Sequence, residues 1–458
     1  MGRTRLSSAI VGGRAHNGGV GDVLIDLGEL HGRLPDETVT AGYRPHRFRA
    51  VLAVVSAVLL VALGGAAARR LPVDPVIVAA RLGDNMFVEQ TRLYLVGNGP
   101  EPPASAIQTK IISMYALPAG KLLSRTTVAV TGAVFQVTSV ADTVLVSYQV
   151  DTLGAEATVA LAAGTDRALW RAPARLLNVS PRDNLVLLRE NSPYLGDLHW
   201  YGLDLTTGRA RWSLEQPVQG FTTPAGYTDG FPRRLITATT AGRIEVRDTS
   251  TGAVVSRGVA TAPPGWSQRG ITVWSTGDLV LIGGLRGIKA YTLADLSPRW
   301  TSTIELSGHW VQDCVDVICV FGYRGGVRAL DPRTGRLLWT ADRWTGAEGA
   351  GRYLLVSGNQ GLEGRYPLAV MEPNTGVVRG DFGAWWSAGT VRADGTIVGL
   401  RQRIGEDVVY YALLDPARLA VRMLGTATAV SGDCQATTDV LVCRRIDASV
   451  AIWPLTES

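Results

Sequence analysis

Short apolar runs separated by turn residues make up most of this chain. The runs are three or four residues long, as at 93–96, 144–146 and 279–282, and Gly, Asp, Pro and Thr cluster between them. Two runs occur in each stretch of about 40 to 45 residues. Runs this short, bounded by turn residues, predict β-strands rather than helices.

One motif marks the repeat: an apolar strand, then Asp-x-x-Thr-Gly, then a short segment that ends in Trp. The clearest copy spans 326–339, with Asp331, Gly335 and Trp339 at the marked positions. Asp and Thr side chains can bond nearby backbone amides and Gly accepts positive φ, so the motif predicts a hairpin turn. The Trp ring is suited to fill the gap against a neighbouring unit. Other copies, some of them weakened, lie at Asp204, Asp248, Glu372 and Asp415, and Trp170, Trp212 and Trp300 occupy the position of Trp339.

The recurrence predicts an all-β fold, a β-propeller of four-stranded antiparallel blades over residues 81–458. One unit cannot bury its two faces alone, so the units must stack around a ring. Eight units have a full hairpin, and a ninth, partial unit from 440 to 453 ends the chain.

The turn, its Gly and the following Trp resemble the PQQ-like β-propeller repeat. This repeat occurs in quinoprotein dehydrogenases and in the outer-membrane assembly lipoprotein of the BAM complex. The resemblance covers roughly residues 75–458. It implies eight blades, but it does not specify a function, because propellers are used for many purposes.

A stretch without charge, residues 50–68, precedes the repeats and is followed by Arg69 and Arg70. Its 19 residues are enough to span a hydrocarbon core of about 30 Å as a helix. We therefore expect a transmembrane signal anchor, preceded by a cytoplasmic tail at 1–49 and followed by a linker at 69–80. A cleaved signal peptide is the alternative, although the long segment before the apolar stretch is atypical of one. A buried core helix would have no place in a propeller.

The four cysteines place the propeller outside the cell. They form two local pairs, Cys314 with Cys319 and Cys434 with Cys443, each spanning a predicted hairpin. Such pairs favour disulfides and hence an oxidising compartment. Free buried thiols and a zinc site remain as alternatives, but the spacing is not that of a zinc motif. Arginines flank the apolar stretch on both sides, so the charge rule alone does not decide the orientation.

Composition narrows the class of partner only slightly. The net charge is +5 over 458 residues, and no basic run is typical of nucleic-acid binding. Only 3 of the 45 basic residues are Lys, which suggests an actinobacterial type of genome. The tail is expected to be disordered, and apolar residues between 24 and 34 leave a docking motif as the alternative.

The sequence contains no recognisable catalytic constellation. It lacks a nucleophile elbow, a phosphate-binding loop and a zinc-protease motif. Quinoprotein dehydrogenases carry an adjacent Cys-Cys disulfide and an acidic calcium site, and the resemblance does not extend to either. We therefore expect no cofactor, no metal and no catalytic residue.

Several tryptophans lie off the repeat position and could form a ligand platform on a propeller face. They are Trp266, Trp274, Trp310, Trp344 and the pair Trp385-Trp386. Packing between blades is the simpler explanation of these rings.

The sequence thus predicts a membrane-anchored extracellular propeller that binds a protein or a cell-envelope ligand on one face without catalysis. The alternative function is a quinone-dependent or other cofactor-dependent oxidoreductase on the same fold. A sensor that signals through the helix is a third possibility, but no output domain is recognisable.

Overall fold

The structure is a computed structural model that describes most of the chain beyond residue 73. All described residues belong to one unit, Leu71–Ser458; the other unit, Met1–Arg70, lies outside them, as do the predicted tail and the predicted span at 50–68. No helix formed by the described residues has the length and apolarity needed to cross a membrane. The described ranges are 74–100, 107–190, 198–217, 220–260, 272–284, 287–306, 309–322, 325–358, 368–389, 391–403 and 405–455.

Within these ranges, 36 strands pair into nine four-stranded antiparallel sheets, which are the blades of a β-propeller. Blades 1 to 4 contain β2 Asn85–Val88, β3 Arg92–Asn98, β4 Gln108–Ala116, β5 Lys121–Val130; β6 Val134–Val140, β7 Thr143–Gln149, β8 Glu156–Ala162, β9 Ala168–Ala172; β10 Arg175–Ser180, β11 Leu185–Arg189, β12 His199–Asp204, β13 Ala210–Glu215; and β14 Phe221–Thr228, β15 Phe231–Ala238, β16 Arg243–Asp248, β17 Val254–Val259.

The remaining blades follow the same plan, except that the last one takes a strand from the other end of the propeller. Blades 5 to 8 contain β18 Thr272–Thr276, β19 Leu279–Gly284, β20 Gly287–Thr292, β21 Pro298–Ser302; β22 His309–Cys314, β23 Val317–Gly322, β24 Val327–Leu330, β25 Leu337–Ala341; β26 Trp344–Ala350, β27 Tyr353–Gly358, β28 Leu368–Met371, β29 Val378–Asp381; and β30 Trp386–Ser387, β31 Ile397–Gln402, β32 Val409–Asp415, β33 Ala420–Ala427. Blade 9 contains β34 Val430–Ala436, β35 Val440–Arg445, β36 Val450–Pro454 and β1 Val76–Val78.

The expected number of eight blades is wrong, because the ninth unit is completed by the start of the propeller. Strand β1 pairs antiparallel with β36, with Val76 opposite Ile452 and Val78 opposite Val450. Residues 76–78 thus form an outer strand, although the sequence placed them in a linker. The repeat motif marks the ninth unit only as a partial one, because its third and fourth strands are not joined by a turn.

The first strand of each blade lies innermost and the fourth lies outermost. First strands contact one another between blades 1 and 2 and from blade 4 to blade 7, and the parallel bridge between Gly389 and Ala436 joins the inner parts of blades 8 and 9. The middle strands are covered on both faces, so they are almost continuously apolar and buried, as in β11 and β19. The core is therefore a series of layers between blades rather than one central cluster.

A tryptophan on the outer strand of one blade enters the turn between the third and fourth strands of the next blade. The Trp339 ring is buried, and its Nε1–H donates a hydrogen bond to the carbonyl oxygen of Pro373 at 2.6 Å. A Cβ on Gly376 would lie 2.6 Å from Cγ of this ring, so only glycine leaves it room. The same Nε1–H bond joins Trp170 to Leu205, Trp212 to Thr249 and Trp300 to Pro332.

The Asp side chain holds the receiving turn in shape. In blade 6, the Asp331 carboxylate accepts the Arg333 N–H at 2.8 Å and the Thr334 hydroxyl at 3.0 Å. The Arg333 N–H is the main cause of the lowered pKa of Asp331. Gly335 then takes a positive φ of 68°, as the sequence predicts. In blade 3, the Arg211 guanidinium is the main cause that lowers the pKa of Asp204, to about 2.

In two blades without the tryptophan, a small residue replaces it, and the turn of the next blade carries a leucine in place of glycine. In blade 4, Ser256 stands at the Trp position and faces Val246, and the turn of blade 5 carries Leu296 at φ 59°, beside Gly258. In blade 7, Gly380 faces Val370, and Leu419 of blade 8 lies against it at φ 53°. In the four Trp blades the facing residues are all small: Ala160, Gly202, Ala290 and Ala329. The gap between blades is therefore filled from whichever side carries the large side chain.

Because Trp339 is buried in the turn of blade 7, we expect Trp339→Ala to destabilise the protein strongly. Removing the ring leaves a cavity between blades 6 and 7 and an unpaired Pro373 carbonyl, so we expect a loss of roughly 3–5 kcal/mol of unfolding free energy. Denaturant unfolding of the purified full chain measures it. Trp310→Ala is the matched control, because that ring is 41% exposed. Equal losses for the two variants would contradict a packing role for Trp339.

If β1 closes the ring, substitutions at two adjacent residues of this strand should differ strongly in how much they destabilise the protein. Val78 is 3% exposed and packs between blades 9 and 1, whereas Ile77 is 46% exposed. Val78→Asp should cost roughly 3–5 kcal/mol, because it places an uncompensated charge in the core. Ile77→Asp, the control, should change the melting temperature little. A propeller that tolerated both changes would not be closed by this strand.

Candidate functional site

The tryptophans that lie off the repeat position share one location. Trp274, Trp310, Trp344 and Trp386 lie on β18, β22, β26 and β30, which are the innermost strands of four consecutive blades. Trp344 and Trp385 are buried and pack in the core, as the simpler explanation requires. Trp266 lies outside the described residues.

These rings belong to a wider set that we call the aromatic collar. Seven of the nine innermost strands carry an aromatic residue among their first three positions, at the end where the chain enters each blade. Innermost strands run in the same direction, so these positions lie at one end of the ring. Excluding the buried Trp344, the collar consists of Phe87, Phe135, Phe221, Trp274, Trp310 and Trp386.

Exposure of aromatic rings is confined to the innermost strands. Among the described residues, the exposed aromatic side chains are Phe221, Tyr227 and Trp310, which are 37%, 58% and 41% exposed. Trp310 stacks on the buried Phe321, with ring centroids 5.1 Å apart and planes 8° from parallel. A ring held in this way presents its other face to solvent in a fixed orientation. Rigid exposed aromatics are typical of the centres of protein interfaces.

The inner strands combine contact with water and a desolvated environment. Tyr227 on β14 and Glu348 on β26 are both exposed, yet desolvation by the surrounding protein raises the pKa of each group. Both residues lie in the second half of their strands, further along the innermost strands than the collar. Trp274 adds a buried Nε1–H that has no hydrogen-bond partner, which a bound acceptor could satisfy.

A cavity of 650 Å³ opens beside the collar at the junction of blades 9, 1 and 2. Its lining includes the collar residues Phe87 and Phe135 and the polar residues Asp433, Gln435 and Arg444. Arg444 is almost buried; its guanidinium lies 3.4 Å from the Asp433 carboxylate and donates to backbone carbonyls of blades 9 and 1. The lining is more polar than apolar, so the cavity adds fixed polar groups beside the aromatic side chains of the collar.

Both predicted disulfides are present, and they tie inner strands to second strands. Cys314 on β22 is bonded to Cys319 on β23, and both residues are fully buried. Cys434 on β34 is bonded to Cys443 on β35. Cys434 also lines the cavity. The four cysteines therefore support blades 6 and 9 at the channel, and no free cysteine occurs in the described ranges.

The expectations of no metal and no catalytic residue remain predictions. The described part of the chain brings together no group of three His, Cys, Asp or Glu side chains suited to a metal ion. Asp394 lies in a turn and accepts hydrogen bonds from Thr396, whereas Asp313 lies on strand β22 and accepts the N–H of Gly277 in blade 5.

The fold and the repeat identify the class of protein as a PQQ-like β-propeller. A family model described as outer membrane protein assembly factor BamB matches residues 108–340, about half of the chain. The chain belongs to this family. The match confirms the resemblance that the Asp-x-x-Thr-Gly turns and the tryptophans indicate.

Several solved structures are similar to this chain. BamB from Moraxella catarrhalis is 17% identical, with 70% of this chain and 96% of that chain covered and a TM-score of 0.39. The computationally designed Ika8 protein is 15% identical, with the same coverage and a TM-score of 0.42. The C-terminal WD40 domain of Sif2 is 9% identical, with 84% and 99% covered and a TM-score of 0.38. No curated protein matches the chain.

Proposed function

We propose that this protein is a membrane-anchored, non-catalytic binding module whose propeller lies outside the cell and holds a protein partner at the aromatic collar. The observation that carries the proposal is that, among the residues the structure describes, the exposed aromatic rings lie on the innermost strands. Scattered aromatics would be distributed over the outer strands as well. Two of the three exposed rings, Phe221 and Trp310, lie at the collar end of these strands, and the collar residues Phe87 and Phe135 line a cavity there. This arrangement suits a binding site.

Membership of the BamB family supports a protein as the partner, since the family is described as an assembly factor for outer membrane proteins. The collar fits such a partner, because Phe and Trp side chains contribute much of the binding energy of protein interfaces. An extended segment with apolar side chains could enter the opening and contact several blades at once. A cell-envelope glycan would also stack on aromatic rings and is the competing ligand.

Two features support the anchor and the orientation. Residues 50–68 are uncharged and long enough to span a bilayer. The two disulfides suit an oxidising compartment, which in a single-span protein of this arrangement lies outside the cell.

The absence of catalysis is part of the proposal and has its own test. The cysteines are joined across hairpins rather than in an adjacent pair of the kind that covers the quinone in quinoprotein dehydrogenases. A saturable absorbance change on titration with pyrroloquinoline quinone and calcium would favour the oxidoreductase instead.

Photocrosslinking from the collar tests the binding function. A benzophenone amino acid at Phe221 or at Trp310 should form adducts with a protein in the native membrane, because both side chains are exposed at the opening. Ser213, exposed on the outer strand of blade 3, is the matched control and should form few adducts. Protease treatment distinguishes protein adducts from glycan adducts. Equal labelling from all three positions, or labelling from Ser213 alone, would contradict the collar as the binding site.

A further inference from the structure

Exposed apolar side chains recur on the outer strands of neighbouring blades on one side of the propeller. Blades 8, 9 and 1 contribute six residues, each between 37% and 48% exposed, to what we call the apolar rim. These six residues are Val421, Met423, Val76, Ile77, Leu122 and Leu123. In blade 7, the apolar rim continues with Val377 and Val378.

The outer strand of blade 6, β25, also exposes one apolar residue, Leu337, at 40%. The outer strands of blades 2, 3 and 5 differ in composition. Strands β9, β13 and β21 expose no Val, Leu, Ile or Met, and their exposed positions include Arg171, Arg211, Glu215 and Arg299. Blade 4 exposes Val255 and Val259, but polar blades lie on both sides of it. The apolar rim is therefore a contiguous feature of one side, and contiguous apolar surface of this kind marks an interaction site.

The apolar rim lies where the chain enters the propeller. In all of these blades the apolar residues are near the start of the outer strand, next to the Asp turn or its equivalent. Val76 is the first residue of β1, which occupies that place in blade 9. Only seven residues, 69–75, separate β1 from the predicted span at 50–68. Seven extended residues reach about 25 Å at most.

The charge of the outer strands in this sector is mainly positive. Strands β5, β29 and β33 carry Lys121, Arg125, Arg379 and Arg422, against a single acidic residue, Asp381. Basic side chains beside exposed apolar ones are the combination that binds the surface of an anionic bilayer.

We propose that the apolar rim rests on the lipid surface of the membrane in which the chain is anchored. The apolar side chains enter the headgroup region, and the basic side chains lie at lipid phosphates. This inference rests on the proposed anchor. It sets the propeller on edge, so that the aromatic collar opens parallel to the membrane rather than towards it.

Depth-dependent quenching tests the contact in the full chain, reconstituted into vesicles of phosphatidylcholine and phosphatidylglycerol. An environment-sensitive fluorescent amino acid replaces Met423 or Leu122, which are 45% and 46% exposed. We expect blue-shifted emission at both positions and at least twofold quenching by lipids that carry a nitroxide near the headgroup. Ser213 on blade 3 is the control position and should show neither effect.

The outcomes separate the apolar rim from the anchor. Alkaline carbonate should leave the chain in the vesicles; its release would overturn the anchor and the rim contact together. Retention without lipid quenching at Met423 and Leu122 would overturn the rim contact alone. Blue-shifted emission without lipid quenching would mean that protein, such as a second copy of the chain, covers the rim, and would also overturn the proposal. Met423→Asp with Leu122→Asp should abolish the quenching of a probe at Val421 while the chain stays in the vesicles.

Discussion

The insertion of a tryptophan into the turn of the next blade is the interaction on which the rest of this propeller depends. Each blade is a four-stranded sheet with two apolar faces, and it is stable only when both faces are covered. The ring of Trp339 covers apolar surface, while its N–H satisfies a carbonyl of the receiving turn. One side chain thus sets both the spacing and the orientation of two blades. Repeated at four of the contacts between blades, this interaction helps to fix the positions of the inner strands that carry the aromatic collar.

Local patterns in the sequence predicted what is local in the structure. Strand pairs, Asp turns and both disulfides follow from short stretches of chain, and the packing role of Trp170 and Trp339 follows from their place after the turn. The number of blades depends on a contact between β1 and β36, at opposite ends of the propeller, which no local pattern contains. The collar was missed as a set for a similar reason. Phe87 and Trp310 have no common motif, and only the fold shows that both lie near the start of an innermost strand.

The structure divides its aromatic residues between two tasks. Tryptophans on outer strands are held in turns and join blades, whereas the collar residues lie near the start of the innermost strands, where Phe221 and Trp310 are exposed. The disulfides stiffen two of the blades that border this opening. The apolar rim is a third surface, formed by aliphatic side chains where the chain enters blade 9. In our proposal, the apolar rim rests on the membrane and the aromatic collar binds a protein partner.

A double-mutant cycle at the joint between blades 6 and 7 tests the central claim most directly. The chain fills the contact between blades in two ways. Either a Trp on the outer strand meets a Gly in the next turn, as for Trp339 and Gly376, or a small residue on the outer strand meets a Leu in the next turn, as for Gly380 and Leu419. Gly376→Leu alone should destabilise the protein by about 1–3 kcal/mol, because the Trp339 ring occupies the space. In a Trp339→Ser background, the same change should instead raise the unfolding free energy, by about 1 kcal/mol or more. If Gly376→Leu lowers stability equally in both backgrounds, blade packing does not depend on filling this joint.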